Sequence, residues 1–243
     1  MRLNPWLRPW CQESPRIRSR YARGLRLCPS RILLRIVPLP RIYPDRAQTV
    51  LFGFDRFKLR DAATCDGDNV IDVEATVVSD LLRDEHYPEL PTIAREVRRF
   101  CRFELRIKRV PVDDVPAGAP QEIGDRAIWL TGRLADGTPF ELETVEDDNT
   151  KLEAVDGFFA LPEKESRLFL AFLWDGWFEN LSFDAFTADE DGVLRVDKGD
   201  DEEWVKKFRG NVKHSARLFR DLDDDGVLDD AEMEDSLAVG SSR

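Results

Sequence analysis

The sequence predicts a mainly β (α+β) protein: an antiparallel β-sandwich followed by a C-terminal helix and an acidic loop. Three observations carry this expectation. Downstream of residue 46, short segments alternate apolar and polar residues with a period of two. Turn residues punctuate those segments at short intervals. Near residue 200 the period lengthens to three or four, as a helix with one buried stripe requires.

The elements follow in order. Leu51 to Arg60 is aromatic-rich and reads as extended chain. Ser79 to Leu82 and Thr92 to Arg99 read as short helical or irregular connections. Cys101 to Val112 is the clearest strand. Cys101, Phe103, Leu105 and Ile107 alternate with Arg102, Glu104, Arg106 and Lys108, which demands one buried and one wet face. Pro111 sits near its end, where a missing amide donor is tolerated. Ala127 to Leu134 and Thr138 to Val145 flank Ala135-Asp136-Gly137, a hairpin signal. Leu168 to Trp174 is apolar throughout, the mark of a strand covered on both faces. Trp174 and Trp177 flank Asp175-Gly176 and read as core aromatics beside a turn. Asp200 to Glu203 then offers an N-cap and an acidic first turn. Trp204, Phe208, Val212, Ser215 and Phe219 form a stripe at helical spacing, with Lys206, Lys207, Lys213, Arg217 and Arg220 on the other face.

These features divide the chain into a disordered Arg/Pro-rich segment (1–46), a β-sandwich domain (47–198) and a C-terminal helix with its loop (199–243). With 42% hydrophobic residues, 15 Phe and 6 Trp, the chain can bury a substantial core. Its net charge of −12 is unevenly spread. Residues 1–46 hold eleven Arg against Glu13 and Asp45, a charge of +9, which leaves −21 for the rest. A body so acidic repels nucleic acid and anionic membrane, and suits cations or a basic protein partner. The longest apolar stretch of the first segment, Ile32 to Pro40, is interrupted by Arg35, so the sequence has no transmembrane segment and no secretory h-region. Cys11, Cys28, Cys65 and Cys101 include no C-x-x-C pair, which excludes a zinc ribbon. Cys65 and Cys101 read either as a disulfide of an exported domain or as two thiols.

Chemistry concentrates after the helix, in Asp221-Leu222-Asp223-Asp224-Asp225-Gly226-Val227-Leu228-Asp229-Asp230-Ala231-Glu232. Seven carboxylates in twelve residues repel one another unless a cation neutralises them. A hard ion of calcium's size takes six to eight oxygens at flexible distances. Asp221, Asp223 and Asp225 occupy the first, third and fifth positions, and Gly226 permits the reversal between them. Val227 offers its carbonyl, Asp229 reaches directly or through water, and Glu232 is placed to bind bidentate. Leu228 is placed to seat the loop on a core.

This pattern resembles the EF-hand family over about residues 200–239, and the resemblance implies Ca²⁺ as the cofactor. The segment after the loop, Met233 to Val239, is barely two turns long, as in a single or half hand. From Leu51 to Glu234 the layout also resembles uncharacterised secreted or lipid-anchored bacterial proteins that end in D-x-D-x-D-G. The stretches that carry this are Phe100 to Leu105, Asp136 to Phe140, Trp177 to Leu181 and Phe219 to Glu232. That likeness implies an extracytoplasmic place (periplasmic, cell-surface or secreted) and no enzyme activity. The expected function is thus a non-enzymatic, exported calcium-binding protein whose C-terminal loop the ion orders. A cytoplasmic calcium-responsive interaction module is the alternative, pairing loop 221–232 with a degenerate loop at 187–198.

The degenerate loop repeats Asp-x-Asp-Gly-Val-Leu 34 residues earlier but begins with Thr187 and ends with Lys198. It reads as a β-turn before a strand at Val193 to Val196. Thr64 to Asp72 is a third acidic turn, outside the twelve-residue pattern. His86 and His214, the two histidines, lie in no catalytic motif. No G-x-S-x-G, H-E-x-x-H or phosphate-binding Gly-rich loop is present.

Overall fold

The structure, a computed structural model, describes residues 30–39, 47–66, 70–90, 92–95, 99–162, 165–197, 199 and 202–241. Its strands are β1 (Ser30–Leu39), β2 (Ala47–Asp61), β3 (Val70–Asp80), β4 (Glu85–Tyr87), β5 (Thr92–Arg95), β6 (Arg99–Ile107) and β7 (Ile128–Arg133). They continue with β8 (Pro139–Thr144), β9 (Asp148–Ala154), β10 (Phe159–Ala160), β11 (Ser166–Leu173) and β12 (Leu194–Val196). Helix α1 (Glu202–Ser215) follows, then β13 (Ala216–Arg220), the single turn α2 (Asp230–Met233) and β14 (Ala238–Gly240).

The fold is mainly β, as expected, but it is one mixed sheet rather than an antiparallel sandwich. Hydrogen bonds run unbroken in the order β12-β8-β7-β2-β6-β9-β14-β13-β11-β1-β5, with β3, β4 and β10 attached beside that path. Two of the pairings, β1 with β11 and β12 with β8, are parallel. The sheet curls so that distant members of the path meet across a core. Phe52 of β2 lies 5.3 Å from Phe172 of β11, ring centre to ring centre. The long strand β2 makes the corner. Its first half pairs with β7 and its second with β6, and the register shifts between Phe54 and Arg56. Gly53 sits at the crossover, where a Cβ would lie 2.4 Å from the Lys108 carbonyl oxygen, so only glycine lets the strands approach.

The alternation in β6 is realised: Phe103, Leu105 and Ile107 are buried. On its outer face Arg60 pairs with Glu104 at 2.6 Å and Arg102 with Glu153 at 2.8 Å. Strand β11 is covered on both faces, also as expected. One face joins the main core beside Trp177, whose indole NH donates to Ser215 Oγ at 2.8 Å. The other face presents Phe169 and Ala171 to a small cluster with Phe219, Val37, Leu228 and Met233. The acidic loop and α2 are therefore the lid on the outer face of β11.

Several expectations need correction. Ser30–Leu39, inside the segment expected to be disordered, is strand β1, and residues 1–29 and 40–46 lie outside the described residues. Ile32, Leu34 and Ile36 are buried and alternate with exposed Arg31 and Arg35, a strand period that the Arg-rich composition obscured. Thr92–Arg95 is strand β5, paired with β1, rather than a helical connection. The helical stripe stops at Ser215: Phe219 lies in β13, where ladder bonds to β11 and β14 satisfy the backbone. Phe219 matches the helical spacing, yet its side chain packs on the opposite face of the sheet. Nor is 199–243 a separate unit, because β13 and β14 sit inside the sheet, between β11 and β9.

Cys65 and Cys101 form a disulfide with a Cα–Cα distance of 6.0 Å and a sequence separation of 36. Closing a loop of that length should contribute about 3–4 kcal/mol through the unfolded chain. Urea unfolding of the Cys65→Ser, Cys101→Ser double variant should show a loss of that order, against no change if the bridge is dispensable.

Candidate metal centre

The acidic loop begins where the ladder between β11 and β13 ends. The Asp221 amide donates to the Arg167 carbonyl at 3.2 Å, one step beyond the Leu168–Arg220 pair. That last rung turns the Asp221 side chain inward, and it is fully buried. From there the chain reverses twice, with Asp224 at φ 66° and Gly226 at φ 80°. Such positive φ favours glycine at the second reversal and is tolerated by aspartate at the first.

Carboxylate oxygens of Asp221, Asp223 and Asp225 converge to within 4.8 Å of one another. Each carboxylate also braces the backbone. Asp221 Oδ2 accepts from the Gly226 amide at 2.9 Å, Asp223 from Asp225 at 3.1 Å, and Asp225 from Val227 at 2.6 Å. The exception is Asp221 Oδ1, which is buried and has no hydrogen-bond partner among the described residues. A bare, buried carboxylate oxygen costs on the order of 1–3 kcal/mol or more unless something positive meets it.

The remaining sequence-predicted residues do not join that cluster. Glu232 is buried, and its two oxygens accept from the amides of Leu222 and Asp229. Asp229 accepts in turn from the Glu232 amide at 2.9 Å, completing a capping box on α2. Burial pushes the Glu232 carboxyl up; the two amides pull it down, and the nearby Asp221 and Asp229 add to the rise. Val227 is exposed, and Leu228 packs into the small cluster on β11, as its position implies.

Sequence reasoning missed two arginines. Arg167, at the start of β11, donates to the Asp224 carbonyl at 2.7 Å and reaches Asp221 Oδ2 at 3.4 Å. Arg35 of β1 donates to the Gly226 carbonyl at 2.5 Å and also forms a two-pronged ion pair with Asp84. Their only sequence signals were an Arg interrupting one apolar run and an Arg preceding another.

The other candidate loops differ. In 187–198, Asp189 Oδ1 accepts from the amides of Asp191 and Val193, and Asp189 pairs with Arg195, an ordinary turn leading into β12. Leu194 pairs with Phe140 of β8, whereas Leu228 lies in the cluster on β11, so the two loops are not bridged to each other. The middle of the third acidic turn, residues 67–69, lies outside the described residues. Beside the main loop runs a groove of about 630 Å³, lined by Leu173, Trp174, Phe219, Leu228 and Met233 among others. Among the described residues, no helix is long and apolar enough to cross a membrane.

Comparison of the chain with protein-family models, with curated proteins and with solved structures returns no match.

His214 is exposed, while His86 is mostly buried and bonded through Nδ1 to Ser79 at 3.0 Å. Burial lowers the His86 pKa, Asp84 raises it, and Arg35 lowers it, with a net downward shift. The fold therefore favours the neutral ring. Its contribution is present above the unfolded value of about 6.5 and is lost as pH falls toward the folded value. Stability of the wild type should decline as pH falls below about 6.5, and His86→Gln should flatten that slope in denaturant titrations. Equal slopes would contradict the assignment.

Proposed function

We propose that the protein is a non-enzymatic calcium-binding protein, exported from the cytoplasm, in which loop 221–232 holds one ion of the EF-hand type. The observation that carries this reading is Asp221 Oδ1, a buried carboxylate oxygen with no hydrogen-bond partner among the described residues, beside two further converging carboxylates. Asp221, Asp223 and Asp225 supply side-chain oxygens and Val227 its carbonyl, while Asp229, directly or through water, and Glu232, bidentate, join on binding by giving up their present contacts with backbone amides. Every donor is a hard oxygen, and their number and flexibility favour Ca²⁺ over Mg²⁺.

Two features support an exported protein. The Cys65–Cys101 disulfide suits an oxidising compartment. A lone loop also suits the millimolar range, where extracellular calcium modules work with dissociation constants on the order of 10⁻⁴–10⁻³ M. The single turn α2 and the strands around the loop argue for ordering and stabilisation rather than the opening of a helix pair.

Calorimetric titration with calcium should give a single site in the wild type, weakened at least about tenfold in Glu232→Gln and in Asp221→Asn. At about 10 mM calcium the ion should add about 1.4–2.7 kcal/mol to unfolding stability, with a matching rise in Tm. An absence of both heat and stabilisation in the wild type would remove the metal reading.

A further inference from the structure

An isolated EF-hand-type loop lacks the second loop that ordinarily braces it, and here the sheet supplies something in that place. We infer that Arg35 and Arg167 are positioning residues of the metal loop, and that through Arg35 calcium binding is coupled to the docking of strand β1. This deepens the calcium reading and rests on it.

The two arginines come from adjacent parallel strands. Leu33 pairs with Arg167 and Arg35 with Phe169, so they stand two residues apart in register on one face. That face is the one the loop covers. Both guanidinium groups reach the same point: a Cβ built on Gly226 would lie 3.2 Å from Arg167 Nη1 and 3.5 Å from Arg35 Nη1. At the two reversals of the loop they grip backbone. Arg167 takes the carbonyl of Asp224 and Arg35 that of Gly226, the two residues at which the loop reverses. Turning those carbonyls toward the sheet leaves the side chains at the first, third and fifth positions on the ion's side. Arg167 also meets Asp221 at Oδ2, while Oδ1 has no hydrogen-bond partner among the described residues.

Arg35 extends the connection beyond the loop. Its fork is fixed by Asp84, in the turn between β3 and β4, so one side chain joins β1, that turn and the metal loop. An ion that holds Gly226 in place stabilises the contact that pins β1. Linkage then requires that docking of β1 favour the ion equally.

The inference makes an unusual prediction of sign. A guanidinium acting only as a nearby positive charge repels calcium, so its removal should tighten binding. A guanidinium that positions the loop does the reverse. Calorimetric calcium titration of the full chain should show Arg167→Met and Arg35→Met weakened by about tenfold. Arg35→Lys keeps the charge but cannot fork between Asp84 and Gly226; it should weaken binding too, and serves if the Met variant does not fold. Hydrogen exchange supplies the second readout: calcium should slow exchange across β1 in the wild type and not in Arg35→Met or Arg35→Lys. Unchanged or tighter binding in the arginine variants would overturn the inference while leaving the calcium site intact, as would β1 exchange indifferent to calcium. A wild type that takes up no calcium would instead remove the reading beneath it.

Discussion

One buried carboxylate organises this end of the molecule. Asp221 is placed by the last rung of the β11–β13 ladder, and its side chain is fully buried there. Of its two oxygens, one is satisfied by the Gly226 amide and touched by Arg167 at 3.4 Å, while the other has no hydrogen-bond partner among the described residues. A lone distant guanidinium does not balance a charge removed from water, particularly with Asp223, Asp225 and a buried Glu232 close by. The proposed cation would supply the further positive charge that this arrangement lacks among the described residues.

The rest of the fold determines how that charge can be used. In a helix–loop–helix hand the flanking helices are free to swing. Here the entering element is a strand locked between β11 and β14, and the leaving element is a single turn that runs into β14, itself paired with β9. Both ends of the loop are thus tied into one sheet. Under the proposed calcium reading, binding energy would appear as order and stability, with the outer face of β11 still covered.

Much of this was legible in the sequence because it is local. The alternation of β6, the all-apolar run of β11 and the spacing of the acidic loop each depend on residues within about a dozen positions of one another. The seating of Leu228 on a core followed from its position in the loop. What escaped was non-local. Strand β1 carries the buried series Ile32, Leu34 and Ile36, yet its place in the sheet comes from pairing with β5 and, in parallel, with β11, more than 130 positions away, and its surrounding arginines pointed to disorder. Phe219 satisfied a helical period by coincidence, and the ladder with β11 decided its conformation. Arg35 reaches Gly226 across 191 residues, a contact that no local pattern announces.

The most direct test of the account is a high-resolution electron-density map of the protein crystallised with calcium. It should show one ion with six to eight oxygens at about 2.3–2.6 Å, Asp221 among them. Carboxylates of Asp221, Asp223 and Asp225 arranged around an empty centre at saturating calcium would contradict it.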